Sequence, residues 1–126
     1  MWPATFVFGC AGLVLVLLYK YQDKMLYFPA IPGAPLTPDD NPEGFKDPGE
    51  RGVTYEDVMI ETADGEKLHS WLMYHEGNSM KVPTLIYFHG NAGNMGFRLE
   101  NSSRMYHRTG INVLAMDYRG YGKSTG

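Results

Sequence analysis

Residues 85–94, LIYFHGNAGN, contain the pattern that decides the fold of this chain: an apolar run that ends abruptly in a glycine-rich loop. A second unit of the same kind, NVLAMDYRGYGKS, occupies residues 112–124. Two buried-strand patterns separated by a helix-length segment are typical of a βαβ unit. Since α/β folds bind ligands at the carboxyl ends of such strands, both glycine-rich loops are candidates for a functional site.

The segments next to these loops complete the predicted βαβ unit. The continuous apolarity of residues 84–88 favours a strand buried on both faces. Residues 96–108 are predicted as a helix, with Gly110 suited to the position just after its end. Three residues of that helix are expected to face inward: Leu99, Met105 and Tyr106.

A β-hairpin is predicted before the βαβ unit. Residues 55–61 and 67–74 have strand composition, and Asp64-Gly65 lies between them. An Asp-Gly pair between two strand patterns is the strongest short-range hairpin signal. The domain is therefore predicted as α/β, with a hairpin followed by strand, helix and strand.

The N-terminus is predicted as a membrane anchor. Residues 2–19 carry no charge, and a helix of that length spans roughly 27 Å, close to the ~30 Å hydrocarbon core. Trp2, Tyr19 and Tyr21 stand where interfacial aromatics belong. Nothing basic precedes the apolar run and bulky residues stand where cleavage would fall, which favours an uncleaved anchor over a signal peptide.

The predicted anchor makes this a single-pass protein of an endomembrane or the plasma membrane, with the lipid bilayer as a partner. Lys20 and Lys24 favour a cytosolic C-terminal side, but two lysines leave the orientation open. Asn101-Ser102-Ser103 is a glycosylation sequon that matters only if the domain is lumenal.

A proline-rich segment follows the anchor. Six prolines lie between residues 29 and 48, a density that excludes helix and central strand. An extended tether lying against the domain and a plain linker are the two alternatives, and the linker is favoured. The predicted division is an anchor with flanks (1–24), a tether (25–52) and a domain (53–126).

Composition excludes several function classes. The chain has 126 residues and a net charge of −3 without a basic patch, so nucleic acid is not an expected partner. Cys10 is the one cysteine, so no disulfide or zinc–cysteine site forms within the chain. His69, His75 and His107 show no metal-ligand spacing, and no metal is expected.

The first glycine-rich loop, residues 89–94, has the composition of an oxyanion site. Glycines let the backbone approach a ligand closely, and free amides just before a helix favour an anion. Acyl transfer needs such donors. A tight turn without a ligand explains the same residues equally well. His89 is expected to hold the loop through its ring nitrogens, not to act as a general base.

The second loop matches two catalytic patterns without meeting their requirements. Residues 122–126, GKSTG, fit G-x-S-x-G, but a nucleophile elbow lies on a strand-to-helix turn and is followed by an acid and a histidine. Here the strand ends at about Asp117. The phosphate-binding P-loop requires glycine at that same position, so it fails as well.

Taken together, these motifs resemble the start of the α/β-hydrolase fold. More narrowly, the chain resembles the membrane-anchored abhydrolase-domain proteins of the Bem/WAV branch. The features that carry the likeness are the anchor, Tyr27-Phe28-Pro29, the proline-rich segment, Asp64-Gly65 with Leu68-His69-Ser70-Trp71, and the two glycine-rich loops.

The resemblance implies a serine hydrolase with a Ser-Asp-His triad, no cofactor and a small acyl or ester-type substrate. Its oxyanion loop falls on His89, Gly90, Asn91, Ala92, Gly93 and Asn94, with a backbone N–H from Asn91 and Ala92 next to it. The family's supporting loop falls on Asp117, Arg119, Gly120, Gly122 and Ser124. The triad itself is expected beyond Gly126, so none of its members is assigned here. A non-catalytic, membrane-tethered interaction protein is the alternative function.

The same family sheet order places residues 84–88 beside a fifth strand that this chain lacks. One edge of an apolar strand would then be unpaired, which promotes aggregation, and about 74 residues bury proportionally little surface.

We therefore predict that the 126-residue chain alone is marginally folded and has no triad-dependent activity. Treatment of the purified chain with a fluorophosphonate checks this, and modification of Ser124 would contradict it.

Overall fold

The computed structural model describes residues 2–126, with side chains from residue 6 onward. Its regular elements, in chain order, are α1 (Trp2–Leu26), β1 (Tyr55–Glu61), β2 (Lys67–Met73), β3 (Thr84–Phe88), α2 (Leu99–Thr109) and β4 (Asn112–Met116). The four strands form one sheet in the order β1-β2-β4-β3. The α/β class and the incomplete sheet agree with the sequence-based expectation.

The predicted hairpin is confirmed. β1 and β2 pair antiparallel from Tyr55 opposite Met73 to Glu61 opposite Lys67. Gly65 has a φ of 86°, which glycine adopts without strain. The Thr62 hydroxyl donates to Asp64 Oδ1 over 2.6 Å and accepts the Glu66 N–H over 3.1 Å, which closes the turn.

The βαβ unit is also confirmed. β3 and β4 are parallel, with Leu85 opposite Val113, and β2 pairs antiparallel with β4. A 3₁₀ turn at Met95–Arg98 precedes α2, so the α-helix begins three residues later than predicted. Asn94 explains the delay, since its side chain accepts the Gly96 N–H and starts the 3₁₀ turn instead.

The core lies between α2 and one face of the sheet. It is formed by Val53, Trp71, Met73, Met95, Leu99, Tyr106, Val113 and Ala115. The prediction that Met105 faces inward is wrong, because 36% of it is exposed. The buried face of α2 follows the spacing of Leu99, Ser102, Ser103 and Tyr106, which leaves Met105 to one side of the apolar stripe.

β3 is more exposed than its apolar sequence predicts. Leu85, Ile86 and Phe88 are 37%, 52% and 61% exposed, so burial on both faces is wrong for this chain. Within residues 2–126, β3 pairs only with β4. Its second edge is unpaired in the described chain, as the family sheet order predicts.

The proline-rich segment is not a plain linker. Two short 3₁₀ helices, Pro38–Asp40 and Pro48–Arg51, begin at prolines whose rings are buried. Asn41 and Asn94 form a buried reciprocal pair, with Nδ2 to Oδ1 distances of 2.8 and 3.1 Å. Proline excludes α-helix and strand but suits the first position of a helical turn, so the segment folds against the domain.

Helix α1 is longer than the predicted apolar span. Its 25 residues continue through Lys20 and Lys24 to Leu26, beyond the predicted boundary at residue 24. In the part of the chain that the structure describes, α1 alone is long and apolar enough to cross a membrane, and its side chains are not buried by the domain. The Trp2 side chain, expected at an interface, lies outside the described residues.

We expect Asn41→Ala to lower the free energy of unfolding by roughly 1–3 kcal/mol, because it removes both buried hydrogen bonds to Asn94 and the bond from Asn41 Nδ2 to Phe45 O. Urea denaturation in detergent micelles, followed by near-UV circular dichroism, measures the change. Asn101→Ala, on the exposed face of α2, is the matched control and should change stability by less than about 0.5 kcal/mol. Equal effects would mean that the amide pair contributes nothing specific.

Candidate functional site

The end of α1 holds the first glycine-rich loop in place. Phe28 N–H donates to Asn91 O over 3.0 Å, and Gly93 N–H donates to Phe28 O over 3.1 Å. Phe28 thus pairs with Ala92 as a one-residue parallel bridge. The Asn91 side chain also donates to the carbonyl of Leu26, the last residue of the helix. Residues 26–28 therefore determine the path of residues 91–93.

Several backbone amides of this loop have no acceptor within the described residues, and Asn91 and Ala92 are two adjacent ones. Within residues 2–126, neither the Asn91 nor the Ala92 N–H donates a hydrogen bond to a protein acceptor. The amides of Gly93, Met95 and Gly96 are bonded, to Phe28 O, to a carboxylate and to the Asn94 side chain respectively. Adjacent free N–H groups can bind an oxygen atom that carries negative charge.

His89 is buried beneath the loop with 4% of its surface exposed. Its Nδ1 donates to Gly90 O over 2.6 Å, the loop-fixing arrangement predicted for it. The ring stacks on Tyr118 with centroids 4.5 Å apart, and the Tyr118 hydroxyl donates to His89 O. These contacts show that His89 holds the loop in its conformation.

Asp117, at the end of β4, is fully buried and joins the two loops. Its Oδ1 accepts the Met95 N–H over 2.6 Å and lies 3.2 Å from His89 Nε2, without the alignment of a hydrogen bond. Gly122 passes so close that a Cβ there would lie 1.9 Å from Asp117 Oδ2. The position therefore accepts glycine alone.

The Ser124 hydroxyl both donates and accepts a hydrogen bond. Oγ donates to Asp117 O over 2.9 Å and accepts the His69 N–H over 2.9 Å. Asp117 N–H in turn donates to His69 O over 2.9 Å. These bonds join the end of β4 to β2. The serine of the G-x-S-x-G match holds sheet and loop together.

Arg119 ties the second loop to the hairpin turn. Its Nη2 lies 2.5 Å from Asp64 Oδ2 and 3.4 Å from Glu66 Oε1. Hydrogen bonds from Thr62 and then Arg119 lower the pKa of Asp64, and the bond to Asp64 raises the pKa of Arg119. Gly120 N–H donates to Thr125 O over 3.1 Å, which closes the loop on itself.

An open pocket of about 820 Å³ lies beside the free amides. It is lined by Tyr27, Pro29, His89, Asn91, Tyr118, Arg119, Gly120, Tyr121 and Gly126. Tyr121 is buried and its hydroxyl donates to Asn91 O over 3.0 Å. Burial raises the pKa of both Tyr118 and Tyr121.

From the sequence, no site role was predicted for four residues of this pocket wall: Tyr27, Pro29, Tyr118 and Tyr121. The one signal that could have placed part of it is the Tyr27-Phe28-Pro29 motif directly after the helix. As for metals, the described residues contain no group of three or more His, Cys, Asp or Glu side chains arranged to hold an ion.

Comparison with known proteins identifies similar sequences and folds. The acetyl xylan esterase (AXE1) family model matches residues 45–126. Protein bem46 of Schizosaccharomyces pombe is 40% identical over 94% of this chain and 39% of its own length. The α/β-hydrolase domain-containing protein WAV2 of Arabidopsis thaliana is 34% identical over 94% of this chain and 37% of its own length.

Among solved structures, an esterase of Pyrococcus furiosus superposes with a TM-score of 0.54 at 30% identity, covering 64% of this chain and 30% of that one. The chain spans less than two fifths of the length of its sequence relatives bem46 and WAV2.

We expect Ser124→Ala to lower the free energy of unfolding by roughly 1–3 kcal/mol, since it removes the acceptor of the His69 N–H. Urea denaturation compares it with Ser79→Ala, whose hydroxyl bonds to no described residue. A stability loss no larger than that of the control would show that the Ser124 hydroxyl is not a structural link.

We also expect stability to fall as pH rises above about 10. The pKa values of Tyr55, Tyr118 and Tyr121 are raised in the folded chain. The folded state therefore retains protons that the unfolded state releases, and their contribution is present below pH 10 and lost above it. Absorbance titration near 295 nm and urea denaturation between pH 8 and 12 check this (Tyr118→Phe should reduce the slope).

Proposed function

The chain belongs to the acetyl xylan esterase (AXE1) family within the α/β-hydrolase fold, and on this basis we propose that it is the oxyanion-binding part of a membrane-anchored serine hydrolase. The reaction class is hydrolysis of an ester, thioester or amide by a Ser-Asp-His triad. The acetyl xylan in the family's name is not carried over to this chain.

The observation that carries the proposal is the pair of free amides at Asn91 and Ala92. In acyl transfer the carbonyl oxygen becomes negative as the tetrahedral intermediate forms, and backbone N–H groups fixed beforehand stabilise it without reorganisation. The loop is fixed on three sides, by Phe28, by His89 and by Tyr121.

The remaining site residues act as supports in this proposal. Asp117 holds the Met95 amide and therefore the start of the turn that follows the oxyanion loop. Ser124 holds Asp117 through its carbonyl. Because both Ser124 bonds are structural, we assign it no nucleophilic role.

The triad is proposed to lie on residues outside this sequence. The match covers 39% of bem46 and 37% of WAV2, and the family's elbow serine belongs to a strand beside β3. That strand would cover the free edge of β3 and the exposed Ile86 and Phe88. The 126-residue chain by itself is then inactive.

Helix α1 is proposed to anchor the hydrolase in a membrane. It is uncharged from Phe6 to Tyr19, and its apolar side chains are exposed to the surroundings of the domain. Exposed side chains such as Phe8, at 76%, would be unfavourable in water. Alkaline carbonate extraction tests this, and release of the chain into the supernatant would contradict it.

Sequencing the transcript beyond the Gly126 codon tests the catalytic proposal most directly. We expect a strand, a G-x-S-x-G elbow and a helix, then an acid and a histidine. The encoded polypeptide should react with a fluorophosphonate at the elbow serine and not at Ser124. A stop codon after Gly126 would instead favour the alternative, a non-catalytic membrane-tethered interaction protein.

In that polypeptide, Asn91→Pro should lower kcat by roughly 10²–10³-fold, the usual effect of losing one oxyanion donor. The substitution removes an N–H that bonds to no described residue, together with the side-chain bond to Leu26. Asn91→Ala is the matched control, because it keeps the N–H and loses only the side-chain bond to Leu26. Equal losses of kcat in the two variants would contradict the oxyanion role.

A further inference from the structure

Exposed apolar residues lead from the end of α1 to the rim of the pocket. The exposed residues that make this path are Met25, Leu26, Tyr27, Phe28, Ile31 and Leu36, each 39–56% exposed. Tyr27 belongs both to this path and to the pocket wall, and Pro29 lines the pocket two residues on. The helix end and the site are thus joined physically as well as by hydrogen bonds.

The length of α1 places this rim at the membrane surface. Its last strictly apolar stretch ends at Leu18, and Leu26 follows eight residues later, a rise of about 12 Å. The headgroup layer on one side of a bilayer is roughly 5–8 Å thick. With Leu18 at the edge of the hydrocarbon core, Leu26 lies within a few ångströms of the headgroups, and the next residue, Tyr27, lines the pocket.

The charges near the helix end agree with this position. Lys20 and Lys24 lie between the apolar stretch and the pocket, and both ammonium groups lie within 6 Å of the Tyr21 ring, at 5.7 and 5.9 Å. Lysines on flexible stems next to aromatic rings are typical of the bilayer interface. Asp23 is the one acidic residue of α1.

The pocket wall is suited to a hydrocarbon chain. Tyr27, Pro29, Tyr118 and Tyr121 present rings to it, and the hydroxyls of Tyr118 and Tyr121 are already bonded to His89 O and Asn91 O. The one charged side chain of the lining, Arg119, is paired with Asp64 and Glu66. Its volume of about 820 Å³ lies within the ~300–1,000 Å³ range of small-molecule sites.

We propose that this pocket receives the acyl chain of a single-chain ester amphiphile directly from the bilayer leaflet, with the ester carbonyl at the Asn91 and Ala92 amides. The proposal rests on the proposed hydrolase function and specifies its substrate class as a membrane-partitioned long-chain acyl ester. The substrate enters along the exposed path from Met25 to Phe28, not from the aqueous side of the sheet.

Photo-crosslinking in vesicles tests the proposal on the chain as it exists. The full chain is reconstituted in phosphatidylcholine vesicles that contain a lysophosphatidylcholine with a diazirine at the end of its acyl chain. After irradiation, peptide mass mapping should find adducts at residues 27–29 and 118–121 as well as on α1. Adducts confined to α1, in a sample whose near-UV circular dichroism shows a folded domain, would overturn the proposal.

A pair of charge substitutions sharpens the result. Tyr27→Asp places a carboxylate on the entry path and should reduce the adducts at residues 118–121 by roughly tenfold, equivalent to about 1.4 kcal/mol. Met80→Asp introduces the same charge at a fully exposed residue (97%) before β3, at the opposite end of that strand. It should leave the yield unchanged. Equal yields in both variants would contradict entry past Tyr27.

Catalysis is not needed for these measurements, so the two proposals fail separately. A longer polypeptide that reacts with a fluorophosphonate and hydrolyses a short soluble ester, while the loop receives no adducts from the lipid, would overturn the substrate class alone. Loop adducts without fluorophosphonate reactivity would retain the lipid-binding pocket as a binding site and overturn the hydrolase function on which the substrate assignment rests.

Discussion

The buried carboxylate of Asp117 is the interaction on which the rest of the site depends. It is fully enclosed, accepts the Met95 amide and lies beside the His89 ring. Burying a carboxylate is costly unless hydrogen bonds or nearby charge compensate, and Oδ1 obtains this compensation from the Met95 N–H, while Oδ2 accepts no hydrogen bond from the described residues. Residue 122 must be glycine because a Cβ there would clash with the Asp117 carboxylate. The Ser124 hydroxyl donates a hydrogen bond to the backbone carbonyl of Asp117. One side chain thereby sets the spacing between two loops that are far apart in sequence.

The N-terminal third of the chain is part of this construction and not only a means of attachment. Phe28 pairs with the oxyanion loop, and Asn41 pairs with Asn94 at the start of the following turn. Both contacts join segments more than fifty residues apart in sequence. The path from the helix to the domain consequently positions the same loop that Asp117 supports from the other side.

Strands, turn and helix could be predicted because their signals are local. Asp64-Gly65 specifies its hairpin through backbone conformation, and Gly110 ends α2 with a φ of 69°. The exposure of β3 and of Met105 could not be predicted in the same way. Burial depends on what packs against a residue, and an apolar strand sequence does not reveal whether its neighbours belong to the same chain. The packing of the proline-rich segment against the domain could not be predicted for a similar reason, since proline density excludes α-helices and strands but does not exclude packing.

In the candidate site, too, some features follow from local sequence and others depend on tertiary contacts. The sequence by itself determined that two glycine-rich loops follow two parallel strands, that the fold is α/β, and that GKSTG at residues 122–126 does not directly follow a strand. Only the tertiary structure decided which amides remain free, that Asp117 joins the loops, and that Tyr27, Tyr118 and Tyr121 wall the pocket. Local backbone preferences act over a few residues and are written in sequence, whereas hydrogen-bond partners and pocket walls come from segments that meet only after the chain has folded.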